Sequence, residues 1–191
     1  MSELMLSATS VEQWQELVAE ARNSAEHHLG EELESYLVFL LMRFTRRPEM
    51  MARILALDYL RGLRERGRLR ADRLREVGDH CLLYSGLFPA QARRRMVRLS
   101  YFVDLGRSAY DTLGDAERAA TGRMFRRIAR AFVELMETLQ SMRVLASQEA
   151  AIDPLNAIEL WQDTGSGLAR RTLAATTDAF PAPASGKPAT H

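Results

Sequence analysis

Residues 116–147 read AERAATGRMFRRIARAFVELMETLQSMRVLAS, and apolar side chains recur in them at Phe125, Ile128, Phe132, Leu135, Leu139, Met142 and Leu145. Steps of three and four residues return a side chain to one face of a 3.6-residue turn, so the stretch predicts a long helix with a single buried stripe. Asp115, just after Gly114, is placed to cap its first turn.

The same period extends in both directions. Upstream, Ala92, Met96, Leu99, Phe102, Gly106, Ala109 and Leu113 predict a helix over about 89–113, opened by Pro89. Leu74, Val77, Cys81 and Tyr84 predict one over about 71–84. Pro48 opens another that runs to about Arg66, burying Met51, Ile54, Leu55 and Leu60, with Gly67 as its stop. Leu33, Tyr36, Leu37, Leu40, Leu41 and Phe44 mark a helix over about 31–44. Its core, Tyr36–Met42, is apolar enough for a buried strand, but the acidic lead-in and the lack of a pairing strand favour helix.

At the start, Ser10 with Gln13 forms a capping box before Val11, Trp14, Leu17, Val18 and Ala21. Downstream, Asp153-Pro154 caps a short helix through Trp161 that ends near Gly165. Residues 168–177 read as either helix or tail, and the Pro, Ala, Ser and Gly of 178–191 as a flexible tail. No stretch alternates as a half-buried strand does. The expected fold is therefore all-α, a single helical domain over 1–177 with six to seven helices in a bundle.

Composition narrows the setting. A chain of 191 residues that is 47% hydrophobic holds enough apolar matter for its own core. One cysteine, Cys81, excludes an intrachain disulfide and suits a reducing compartment. The first residues lack the basic start of an export signal, and the longest apolar run, Tyr36–Met42, is far shorter than a membrane span. A soluble, cytoplasmic protein without membrane association is expected. Of 26 basic residues only Lys187 is lysine, which fits the codon bias of a GC-rich bacterial genome.

Charge is segregated along the chain. Residues 1–42 carry eight acids and one base, net −7, and residues 43–75 carry eleven arginines and four acids, net +7. The whole chain is +1, which argues against a protein that coats nucleic acid.

Three groups of residues carry candidate chemistry. The first is Glu26, His28 and Glu32 with His80, a weak counterpart of the carboxylate and histidine sets that hold metal in helical bundles. No Glu-x-x-His unit occurs, and acids at a helix start also complement the helix dipole, so no metal and no cofactor are expected. The second is Tyr84, Tyr101 and Tyr110 with His80, polar tips on or beside apolar stripes that would line an interhelical pocket if Gly106 and Ala109 leave room. Close helix packing is the default reading of such small residues. Cys81 sits on a buried stripe, where thiols are inert. The third is the arginine-rich surface, Arg61, Arg64, Arg66, Arg68, Arg70, Arg73 and Arg75, with Arg93, Arg94, Arg95 and Arg98 apart from it. Interleaved Glu65, Asp72 and Glu76, and the absence of helix-turn-helix spacing, rank nucleic acid low as a partner.

Gly86-Leu87-Phe88-Pro89, the arginines after it, Tyr101 and Gly106 through Ala109-Tyr110 resemble a pattern in helical bacterial proteins of unknown function. The resemblance spans residues 78–113. It implies a bacterial origin and an all-helical fold, and supplies no activity and no site residues. The leading expectation is a protein that works by protein–protein contact, as a homo-oligomer or an adaptor. A small-molecule or metal-binding bundle or enzyme with an interhelical pocket comes second, and a nucleic-acid-associated regulator third.

Overall fold

The computed structural model describes residues 11–46, 55–89, 97–117, 119–147 and 152–176. Among the described residues there are nine helices and no strands. They are α1 Val11–Ser24, α2 Glu31–Arg46, α3 Leu55–Arg64, α4 Gly67–Gly86, α5 Leu99–Ala116, α6 Ala119–Arg130, α7 Phe132–Ser147, α8 Pro154–Thr164 and α9 Gly167–Thr176. None is long and apolar enough to cross a membrane. The all-α expectation holds, while the count of six to seven is too low. The Ser10 cap, the Pro48 helix start and the tail 178–191 lie outside the described residues.

The count differs for two reasons. Residues 119–147 divide at Ala131 into α6 and α7. Ala131 N–H still donates to Arg127 O at 2.9 Å, and its carbonyl accepts from Leu135 at the same distance. The apolar repeat runs across Ala131 unbroken because both halves need a buried stripe, α6 to pack on α5, α7 to pack on α1 and α4. The second addition is α9, which settles residues 168–176 as helix. Ser166 Oγ accepts from Ala169 N at 3.1 Å to cap it, and Ala169 and Leu173 are buried.

Other boundaries shift with equally local causes. Asp115 is not a cap, because α5 continues through it to Ala116. Gly114 is instead a crossing point: a Cβ there would meet Arg126 Cγ at 2.7 Å and the Gly122 carbonyl at 3.0 Å, so glycine lets α5 and α6 touch. Gly67 does not end α3. It begins α4 at φ +56°, and a two-residue link, Glu65-Arg66, turns the chain between the two helices. The Asp153 cap is as the sequence reads: Asp153 Oδ1 accepts from Asn156 N at 3.2 Å, and Gly165 closes α8 at φ +72°.

The core is organised around α4. From Val77 to Gly86 every residue of it is buried, because α3, α5 and α7 pack around it. Small residues allow that approach. A Cβ on Gly86 would lie 2.5 Å from Leu139 Cβ, and one on Gly106 would lie 2.5 Å from Phe132 Cε2 and 2.8 Å from Cys81 Cβ. The space beside Gly106 is thus filled by protein. Leu37, Leu41, Leu74, Leu82, Leu83, Ile128, Leu135 and Met136 complete the apolar centre. Three residues expected in the stripes, Val11, Leu60 and Leu145, are exposed instead.

Candidate functional site

Two polar arrangements stand out, one sealed in the bundle and one on its surface. The sealed one centres on Asp79 of α4, which is fully buried. Its Oδ1 accepts from Tyr36 Oη of α2 at 2.5 Å and from Tyr110 Oη of α5 at 2.7 Å. Its Oδ2 accepts from Arg43 Nη2, and Arg75 Nε stands 3.8 Å away. The Arg75 guanidinium also lies 5.8 Å from the centre of the Tyr36 ring, a cation–π distance. Phe125 of α6 stacks on Tyr110 at 6.1 Å between ring centres, and Phe132 of α7 lies 6.2 Å from it.

A buried carboxylate is tolerated only when paired and hydrogen-bonded, and here both oxygens are taken by protein donors. Gly78 makes the approach possible, since a Cβ on it would fall 2.7 Å from the Tyr110 ring. Burial first, and the Asp79 charge second, push the Tyr36 and Tyr110 hydroxyls far above the usual tyrosine range, so both stay protonated and donate. The cluster joins α2, α4 and α5. Its chemistry is that of a clamp.

The metal candidates do not assemble. His28 is exposed, while His80 is buried within α4. Glu32 pairs with Arg127 at 2.5 Å, and Glu26, the only described non-glycine residue at positive φ (61°), faces Arg171 at 3.8 Å. No three His, Cys, Asp or Glu side chains among the described residues are grouped to hold a metal ion. Their neighbour His27 is the one that works inward. Its Nε2 bonds Oε2 of the buried Glu137 at 2.7 Å and ties the α1–α2 turn to α7, aided by Arg171 Nη2 donating to Ala25 O at 3.1 Å.

The pocket candidates part company as well. Tyr84 is buried and stacks on Phe102 at 5.3 Å, Tyr110 belongs to the Asp79 clamp, and Tyr101 is 40% exposed. Burial pushes the Cys81 thiol far up, which keeps it un-ionised and unreactive. Asp79 entered the sequence reading only beside the Glu76 and His80 metal candidates and was missed as the acceptor for the tyrosines. The signal was present as an acid in the largely apolar second half of α4, with tyrosines on the stripes of two neighbouring helices.

On the surface, α3 buries Leu55 as expected but leaves Leu60 outside. Asp58 and Gly62 face inward, Gly62 so closely that a Cβ would meet Leu74 Cδ2 at 3.1 Å. Asp58 is reached from α4 by Arg73 at 3.4 Å. Leu57, Leu60 and Leu63 therefore face solvent at 48%, 53% and 39% exposure, and Leu69 at the start of α4 is 58% exposed. Arg61 and Arg64 flank this stripe. Elsewhere, α1 and α2 enclose a shallow depression of about 340 Å³ rimmed by Gln15, Glu16, Glu31, Glu34 and Ser35. Phe39, one turn beyond Ser35 on α2, is 59% exposed.

The described ion pairs of the two charge blocks run to other partners than each other. Glu34 pairs with Arg22 of its own block, Glu32 with Arg127, and Glu26 with Arg171. Of the arginines of the basic block, Arg43 and Arg75 reach Asp79 just beyond it, Arg61 and Arg73 reach Asp58, Arg73 also reaches Glu65, and Arg68 reaches Asp72. Among the described residues no ion pair joins residues 11–42 to residues 43–75.

No family model, no curated protein and no solved structure matches this chain.

Proposed function

We propose that the protein acts by protein–protein contact, with α3 as a docking helix carried on a clamped helical scaffold. The observation that supports this reading is the orientation of α3. A ten-residue helix that turns Leu55, Asp58 and Gly62 inward and Leu57, Leu60 and Leu63 outward leaves apolar surface uncovered, and burying each exposed leucine in a partner is worth about 1.5–3 kcal/mol. Contiguous exposed apolar surface rimmed by charge is characteristic of interaction sites. The interhelical-pocket reading has less support, since Tyr84 and Tyr110 are engaged with Phe102 and Asp79 while Tyr101 lies outside.

A photoreactive amino acid placed at Leu60 tests it, with Asp111 on the exposed side of α5 as the control position. Illumination in the native cells is expected to give a protein adduct at Leu60 and none at Asp111. No adduct at Leu60 above the control would overturn the reading.

A further inference from the structure

We infer that the partner of α3 is a second copy of this chain, docked head to tail: the leucine and arginine face of one molecule on the acidic α1–α2 face of the next. The inference rests on the docking role of α3 proposed above and adds the identity of its occupant.

Charge selects the occupant. The chain carries −7 over residues 1–42 and +7 over residues 43–75, equal and opposite, and the fold leaves the blocks unpaired with each other among the described residues. Each molecule thus presents both halves of a complementary contact. Pairing α3 with α3 of another copy would cover the leucines but set two basic surfaces against each other, at a cost in like-charge contacts. Placing α3 on the α1–α2 face covers the same leucines and brings Arg61 and Arg64 to Glu16 and Glu31. Both acids are exposed, and neither enters an ion pair among the described residues, while Arg61, 65% exposed, stands 3.6 Å from Asp58 of its own helix.

The acidic face also has an apolar anchor to receive the stripe. Phe39 is 59% exposed and follows Glu31 and Ser35 at steps of four, so the three share the outer face of α2 beside the α1–α2 depression. Leucines flanked by Arg61 and Arg64 would meet an aromatic ring two turns along α2 from Glu31. The contact is heterologous, so each added copy leaves one face of either kind open, and assembly proceeds to rings or open chains.

Sedimentation of the full chain with complementary variants tests the arrangement. Leu57→Ser/Leu60→Asp disables the α3 face, and Glu16→Arg/Glu31→Arg/Phe39→Ala disables the acidic face. All five positions are exposed, and thermal melts confirm that each variant folds. The wild-type chain is expected to self-associate, and to do so at least about tenfold more weakly in about 1 M than in about 0.05 M salt, since the contact is charge-steered. Each variant alone is expected to be monomeric, and an equimolar mixture of the two to form a one-to-one dimer that grows no further. A wild-type chain that stays monomeric to millimolar concentration overturns the inference while leaving the docking role of α3 to the cross-linking test. Association that survives in the acidic-face variant would show α3-to-α3 pairing and overturn it equally. Should a variant fail to fold, the wild-type chain photo-labelled at Leu60 decides: adducts on peptides from residues 11–39 of a second copy are expected, and adducts on α3 itself are the contrary result.

Discussion

Tyr36 and Asp79 are 43 residues apart in the chain, and the Tyr36 hydroxyl donates to Asp79 Oδ1 at 2.5 Å in the middle of the bundle. Tyr110 donates to the same oxygen, and Arg43 reaches the other, so one carboxylate locks α2, α4 and α5 together. Replacing Asp79 by Ala would leave two buried hydroxyls and an inward-reaching guanidinium without their acceptor. A loss of about 3–5 kcal/mol is expected in chemical denaturation, since removing one partner of a buried pair strands the others. Asp79→Asn is expected to destabilise as well, because it keeps the shape but removes the charge that Arg43 and Arg75 surround.

The same clamp sets an alkaline limit. Folding raises the Tyr36 and Tyr110 hydroxyls above their ordinary range, so the folded chain holds protons that the unfolded chain releases from about pH 10 upward. Their contribution is fully present below that pH and is lost as pH climbs toward the raised folded-state values. Cys81, raised by burial, adds the same sign from about pH 8.5. Unfolding free energy measured across this range is expected to fall with pH, and Tyr36→Phe to lower the slope by about 1.4 kcal/mol per pH unit, one proton's worth. An unchanged slope in that variant would show that the hydroxyl titrates alike in both states.

Gly106 tests how tightly α5 meets its neighbours. In an exposed helix interior, glycine to alanine is stabilising by about 1 kcal/mol. Here the new Cβ would lie 2.5 Å from Phe132 Cε2 and 2.8 Å from Cys81 Cβ, so Gly106→Ala is expected to cost about 1–3 kcal/mol of stability instead. A gain in melting temperature would mean that the helices have room to part.

Much of the architecture is written locally. The three-and-four spacing of Phe125 to Met142, the Asp153-Pro154 start and the Gly165 stop are short-range signals, each legible because a helix buries a stripe and ends on a few backbone bonds. The limits of that reading appear wherever two helices meet. The interruption at Ala131 leaves the apolar repeat intact and so leaves no mark in it. Gly67 and Gly114 read as stops but serve as a helix start and a crossing point, because glycine suits a turn and a close approach equally.

The candidate sites were less legible still. An isolated helix places Tyr84 and Tyr110 on stripes, yet only packing decided that one would stack on Phe102 and the other would serve Asp79. Periodicity likewise shows that α3 has an apolar side without saying whether that side faces in. The inward turn was decided by Gly62 closing on Leu74 and by Arg73 of α4 reaching Asp58, contacts with a neighbouring helix that stripe periodicity alone does not reveal. By itself the sequence determined that the chain is helical and that its charge is divided in two. Only the tertiary structure decided that Asp79 would be buried, that no ion pair among the described residues would join the two charge blocks, and that Leu57, Leu60 and Leu63 of α3 would be left outside. These outcomes depend on the relative placement of separate helices, whereas a helical stripe depends on residues three and four apart.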